Sequence, residues 1–384
     1  MSVNERKSKF NNAMIRKPVL FLVFGALLGF AACASTPVNL EPLVFPNAPE
    51  QARFYWERTI IGTGAVKEVG REQKIRALLT GEATRGGEAL AKPFDVAVHH
   101  GRIFISDTVR RSVVALDFAE HRSFYIGKAG QDGELHKPLG LSVAADGTLF
   151  VCDATLKLIL IYDRDGNYKR AIGGEGDFDR LSGIDVSPDG SRLYVVDTGG
   201  VKSQNHRVRV YDVESGEHLI DIGRRGSNEG ELNLPRDVAV GADGLVYVSD
   251  GGNFRIQVFT EDGDFVREWG EPGKHLGQFT RLKGISADKS GNIYAVDAAF
   301  GNFQIFNPTG DLMLFIGTRS TQRGRAHYML PAGIDVDEDG RIYMIDQFYR
   351  KLEIFRPAEL AADAGWLAGS PVLVPPVGIE MLQD

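Results

Sequence analysis

Asp95 and Asp237 are the carboxylates whose placement could support chemistry. They hold the same position in two similar runs, Pro93-Phe94-Asp95-Val96 and Pro235-Arg236-Asp237-Val238. Acidic side chains facing each other across a channel could grip a divalent cation, but calcium takes about six to eight oxygen ligands. Two carboxylates fall well short. No resident metal or other cofactor is therefore expected, and Asp95 and Asp237 would be its only candidates in that column. No Gly-x-Ser-x-Gly, His-Glu-x-x-His, phosphate loop or Cys-x-x-Cys-His occurs in the chain, so no catalytic residue is assigned. The eight histidines are scattered, with His99-His100 in a tight turn. Charges of the other sign are more suggestive. Arg207, Arg225, Arg236, Lys283 and Arg323 fall in or beside connecting segments and are the candidates for a ligand-binding face. The whole chain nevertheless carries a net charge of −7, which does not suit a surface built for nucleic acid.

The N-terminus carries a different chemistry. Arg6, Lys7, Lys9, Arg16 and Lys17 precede an apolar run from Val19 to Ala32 and then Cys33. That run is shorter than the roughly 20 residues that span a bilayer, and it reads as a secretory leader. Gly29-Phe30-Ala31-Ala32-Cys33 resembles a bacterial lipobox, which makes Cys33 the expected lipid-anchor site. Ser35 fits the outer-membrane sorting pattern of that resemblance. The expected location is the outer membrane, facing the periplasm. Cys152 sits in an apolar strand-like run and is read as a buried small hydrophobe.

Internal repetition supplies the elements that must position these groups. Leu234 to Gly270 contains four short apolar runs separated by turn pairs such as Asp243-Gly244 and Asp262-Gly263, the signature of consecutive hairpins. An aspartate closing the second run recurs as Asp107, Asp153, Asp197, Asp250, Asp297 and Asp346. An Asp at a strand end can accept backbone N–H groups of the following loop, so this column is read as structural. Six four-stranded units predict an all-β, six-bladed propeller, since each small sheet can bury its faces only against its neighbours. The last unit lacks a fourth strand, whereas Phe54-Tyr55-Trp56-Glu57-Arg58-Thr59-Ile60 matches one. An N-terminal strand should therefore complete the sixth blade and remove an exposed edge. The expected organisation is a leader at 1–32, a lipidated linker at 33–52, the propeller at 53–357 and an extended tail at 358–384.

Blade four, with Asn253, Arg255 and Phe259 behind its Pro-x-Asp-apolar start, resembles the NHL-repeat family. That resemblance implies the six-bladed fold of NHL-type blades but no particular activity. The chain resembles the bacterial NHL lipoproteins in particular. Propellers of peptidylglycine-type lyases place zinc-binding histidines where this chain has Phe94, Leu139, Ser182, Arg236, Lys283 and Ala332, and there is no histidine in that column. Gluconolactonase-like propellers, which hold a channel cation, set the alternative: a divalent-cation-dependent hydrolase, lactonase or lyase. The favoured expectation is a non-catalytic scaffold or protein-binding module of the cell envelope. Long segments, including 198–205, 318–330 and 63–92 with its helical spacing at 71–79, gather on one face of the ring. Such loops on a rigid scaffold mark the expected functional face. An envelope protein is the expected partner, with an anionic polysaccharide as a further possibility and nucleic acid excluded.

Overall fold

The computed structural model describes residues 42–67 and 87–368. The leader, Cys33, the stretch at 71–79 and the tail beyond residue 368 lie outside the described residues. Blades one to five occupy 93–126, 138–172, 181–222, 238–269 and 282–316, each a sheet of four sequential antiparallel strands. The middle strands are buried on both sides: every residue of Arg102–Asp107 and of Ser112–Asp117 is buried. Strict alternation is lost there because a neighbouring blade covers each face. It returns at the rim, where Phe265–Trp269 alternates half-buried and exposed positions. Six apolar clusters follow, one per blade-to-blade seam, such as Phe150, Ile161, Ile184 and Val195 between blades two and three. Among the described residues the only helical element is a short 3-10 turn at Thr63–Val66.

The sixth blade closes as the repeat offset predicts. Phe54–Ile60 pairs antiparallel with Lys351–Pro357, from Phe54 opposite Pro357 to Ile60 opposite Leu352. Val44–Phe45 then adds a further short strand outside it, so part of the segment expected as linker belongs to the blade. The start of the expected tail is likewise docked. Arg341, wholly buried, donates to the Ala364 carbonyl at 2.8 Å, and Leu367 is 1% exposed in the seam between blades six and one.

The aspartate column does what strand-end carboxylates are expected to do. Asp107 accepts the backbone N–H groups of Ala91 and Lys92 from the incoming connection and of Val109 and Arg110 from its own loop. Asp197 holds the N–H of Arg180 at 2.8 Å, and Asp297 that of Arg281 at 3.0 Å. Each carboxylate is fully buried and ties two loops together. In doing so it fixes the residues that precede each inner strand.

Candidate binding site at the channel mouth

The inner strands run from the long-loop end of the channel to the tight-turn end. In the six inner runs, which start at Pro93, Pro138, Leu181, Pro235, Leu282 and Pro331, the third residues read Asp95, Gly140, Gly183, Asp237, Gly284 and Gly333, and the fifth read Ala97, Ser142, Asp185, Ala239, Ser286 and Asp335; in blade four the strand itself begins at Val238. Both columns repeat after three blades, so the channel has a pseudo-twofold pattern. Four carboxylates line it, two at each level.

Each carboxylate stitches neighbouring blades together. Asp95 accepts the N–H of Leu141 at 2.9 Å, and its counterpart Asp237 that of Ile285 at 3.0 Å. Asp185 accepts from Val240 N–H and the Ser142 hydroxyl; Asp335 accepts from Val98 N–H and the Ser286 hydroxyl. Glycine is required opposite two of them. A Cβ on Gly333 would overlap the Asp95 carboxylate, and one on Gly183 would overlap that of Asp237. Gly183→Ala and Gly333→Ala should each lower stability by about 1–3 kcal/mol, the usual cost of overpacking, while Gly200→Ala, with open space around it, serves as the neutral control. Thermal melts in which all three coincide would remove this account of the glycine column.

The interior disfavours charge. Burial raises the Asp95 carboxyl to about 7 and Asp185 to about 6, and it pushes Asp237 and Asp335 well above the ordinary range. Repulsion among the carboxylates acts in the same direction, with Asp95 acting on Asp237. All four line a cavity of about 270 Å³ that extends past Ala145 and Pro188 toward the tight-turn end. The cavity thus extends from the carboxylates away from the long loops on which the sequence centres attention. At the rim of that end, His99, His100 and Glu338 bring possible ligand atoms within 4.8 Å of one another. The imidazoles, however, stack on each other at 4.0 Å and 30°, and His100 stacks on Trp366 at 4.4 Å. A metal lies in the plane of each imidazole that binds it, so stacked rings cannot share one ion without rotating. His99 Nε2 is also 3.0 Å from the Ala145 carbonyl.

The long-loop mouth has the opposite charge. Arg236 and Lys283 occupy the second position of adjacent inner runs, and Arg180 and Arg281, pinned by Asp197 and Asp297, stand just before two such runs. Among the described residues none of these four side chains has an acidic partner or a side-chain hydrogen bond. Burial, followed by repulsion from Arg281, Arg236, Arg180 and Lys92, brings Lys283 down to about 8. Arg236 is lowered by burial and then by Arg180 and Arg281. Cations from blades one, three and four, with Arg281 from its own blade, therefore stand close enough to act on one ammonium. The other second positions are uncharged: Phe94 is half-buried, Leu139 and Ala332 are buried, and the Ser182 hydroxyl donates to the Arg236 carbonyl at 2.9 Å.

The other basic residues singled out in the sequence stand differently. Arg207 pairs with Asp221 at 2.6 Å and approaches the buried Asp197 at 3.7 Å. Arg225 donates to the Ser203 carbonyl at 2.7 Å. Arg323 lies in the 318–330 connection, near enough to act on Tyr349 and Lys351. Arg180 and Arg281, which the sequence reading did not select, carry a signal in hindsight. Arg180 stands 17 and Arg281 16 residues before an aspartate of the strand-end column, and Lys92 and Lys137 hold the equivalent position at 15 and 16.

Comparison with known proteins agrees with this architecture. The NHL repeat family matches residues 232–259, the approach to blade four and its first three strands. A stretch of 44 residues is 46% identical to the RING finger protein nhl-1 of Caenorhabditis elegans, covering 12% of this chain and 4% of that protein. Among solved structures, a protein of unknown function from Bacteroides thetaiotaomicron matches with a TM-score of 0.57 at 13% identity, over 80% of this chain and 76% of its own. A gluconolactonase of Xanthomonas campestris matches at 0.53 and 16%, over 70% and 86%. The virginiamycin B lyase of Staphylococcus aureus matches at 0.50 and 15%, over 71% and 86%. At these identities the likenesses show the fold alone. The chain is a six-bladed β-propeller with an NHL repeat in its fourth blade.

Proposed function

We propose that this propeller is a non-catalytic binding module of the cell envelope, presenting its long-loop face to a protein partner. The observation that carries the reading is the set of Arg180, Arg236, Arg281 and Lys283 converging on the mouth with no acidic partner among the described residues. Grouped like charges cost stability, the more so for the half-buried Arg236 and Lys283, so their retention fits a ligand that neutralises them. The channel carboxylates give less support to a hydrolase or lyase, since each accepts hydrogen bonds that join blades. The envelope assignment comes from the expected leader and Cys33. Crosslinked capture from native membranes tests both parts. The wild-type chain should retain a protein partner, and Arg236→Glu with Lys283→Glu should lose it. Equal capture by the two chains would overturn the binding face, and a cytoplasmic location of the native protein would remove the envelope from the reading.

A further inference from the structure

The second positions of the inner runs divide into two unlike sets. Blades three to five supply Ser182, Arg236 and Lys283, whereas blades six, one and two supply Ala332, Phe94 and Leu139. The cations just before the runs lie on both sides, with Lys92 and Lys137 behind Phe94 and Leu139 as Arg180 and Arg281 stand behind Ser182 and Lys283. Apolar side chains also stand out on the loops of this face, where Val109 is 63% exposed and Phe348 58%. Both belong to second-to-third strand loops, of blades one and six, on the side of the ring that carries Phe94.

We infer that the mouth binds an acidic peptide segment bearing a neighbouring apolar side chain, with its carboxylates over Arg180, Arg236, Arg281 and Lys283 and its apolar group toward Phe94. This rests on the protein-binding reading above and names the chemistry of that partner. Charge complementarity selects an anion, because no acidic side chain answers these cations among the described residues and guanidinium forks match carboxylates. Phe94 then selects a peptide over a uronic-acid polymer. An acidic polysaccharide carries no hydrophobic group to set against that ring, so the apolar contact would go unused. Anionic contacts at such a rim should govern encounter and salt dependence, while the apolar contact should govern residence.

The test uses purified protein and three probes: labelled oligoglutamate carrying one phenylalanine, oligoglutamate alone, and polygalacturonate. The phenylalanine peptide should bind most tightly. Its affinity should fall between 0.1 M and 1 M salt, as the screening length shrinks from about 10 Å to about 3 Å. Arg236→Gln with Lys283→Gln should weaken it by on the order of tenfold or more. The same variant should melt no lower than wild type, because it relieves repulsion; a merely structural pair would lose stability instead. If it does melt lower, Arg236→Lys with Lys283→Arg decides the matter: the charge-preserving swap must keep the peptide, and its loss overturns the inference. Phe94→Ser should abolish the preference for the phenylalanine peptide and leave oligoglutamate binding in place. Polygalacturonate binding as tightly as the peptide, or unchanged binding in the glutamine variant, overturns the inference. Absent peptide binding beside intact, mouth-dependent capture from membranes would sink it while the protein-binding reading survives; loss of both sinks both.

Discussion

A chain truncated through Gly62 should melt far below the intact protein and unfold less cooperatively. Phe54–Ile60 is the outer strand of the sixth blade, paired along its length with Lys351–Pro357. Removing it exposes the third strand as an unpaired edge and uncovers the apolar cluster between blades five and six, against which Phe54 and Trp56 pack. It also strips two buried charges. Arg341, 0% exposed, loses Glu57 at 2.9 Å and keeps Asp339 at 3.0 Å. Glu353, also 0% exposed, loses Trp56 Nε1 and the Thr59 hydroxyl and retains Lys351 and the Ala326 N–H. Breaking one buried ion pair costs about 3–5 kcal/mol. The deletion adds strand and core losses to that, so the total rivals the whole stability of an ordinary domain, about 5–15 kcal/mol. Glu57→Gln isolates the first ionic part and should cost less than the deletion. A truncated chain melting within about two degrees of the intact one would refute the closure.

Blade number, strand-end aspartates and closure were legible because they are local or repeated. A run such as Val246-Tyr247-Val248-Ser249-Asp250 shows its strand by composition, and six copies at similar spacing reveal the ring. The N-terminal strand was readable because the last repeat lacked its own. The channel was only half legible. Asp95 and Asp237 stand out by replacing glycine in a glycine column, whereas Asp185 and Asp335 sit two residues later in an ordinary alternating strand. Their signal was the near-identity of Gly183-Ile184-Asp185-Val186 and Gly333-Ile334-Asp335-Val336, which betrays the three-blade repeat. The cluster of His99, His100, Glu338 and Trp366 had no signal of that kind. Ring closure brings the first and last blades together across more than 200 residues, and no local pattern records such a contact. The roles of Arg207 and Arg225 were hidden for a related reason. Arg207 pairs with Asp221 on the next strand of its blade, while Arg225 reaches a carbonyl of a neighbouring loop, and sequence spacing alone distinguishes neither from a solvated loop cation.

The four channel carboxylates should make the protein lose stability as pH rises from about 5 to about 8. A carboxyl whose folded value is raised binds its proton more tightly in the native state than in the unfolded chain. Its contribution is fully present below the unfolded value near 3.8 and disappears as pH climbs through the folded one. For Asp95 that window runs from 3.8 to about 7, and for Asp185 to about 6. At about 1.4 kcal/mol per unit, Asp95 alone sets a ceiling of ~4 kcal/mol, and it shares its proton equilibrium with Asp237 across the channel. Groups of the opposite kind bound the effect from below. Hydrogen bonds hold Asp189 down at about 2, so its contribution is present above 3.8 and lost as pH falls toward 2. Stability should therefore peak in the mildly acidic range. Asp95→Asn with Asp237→Asn keeps an acceptor oxygen at each seam while removing the ionisation. Melting temperature against pH should then flatten between 5 and 8, and at pH 8 the variant should equal or exceed wild type. If both proteins fall with the same slope across that interval, the carboxylates are not paying the cost of ionising in the channel, and their burial is less complete than the folded ring implies.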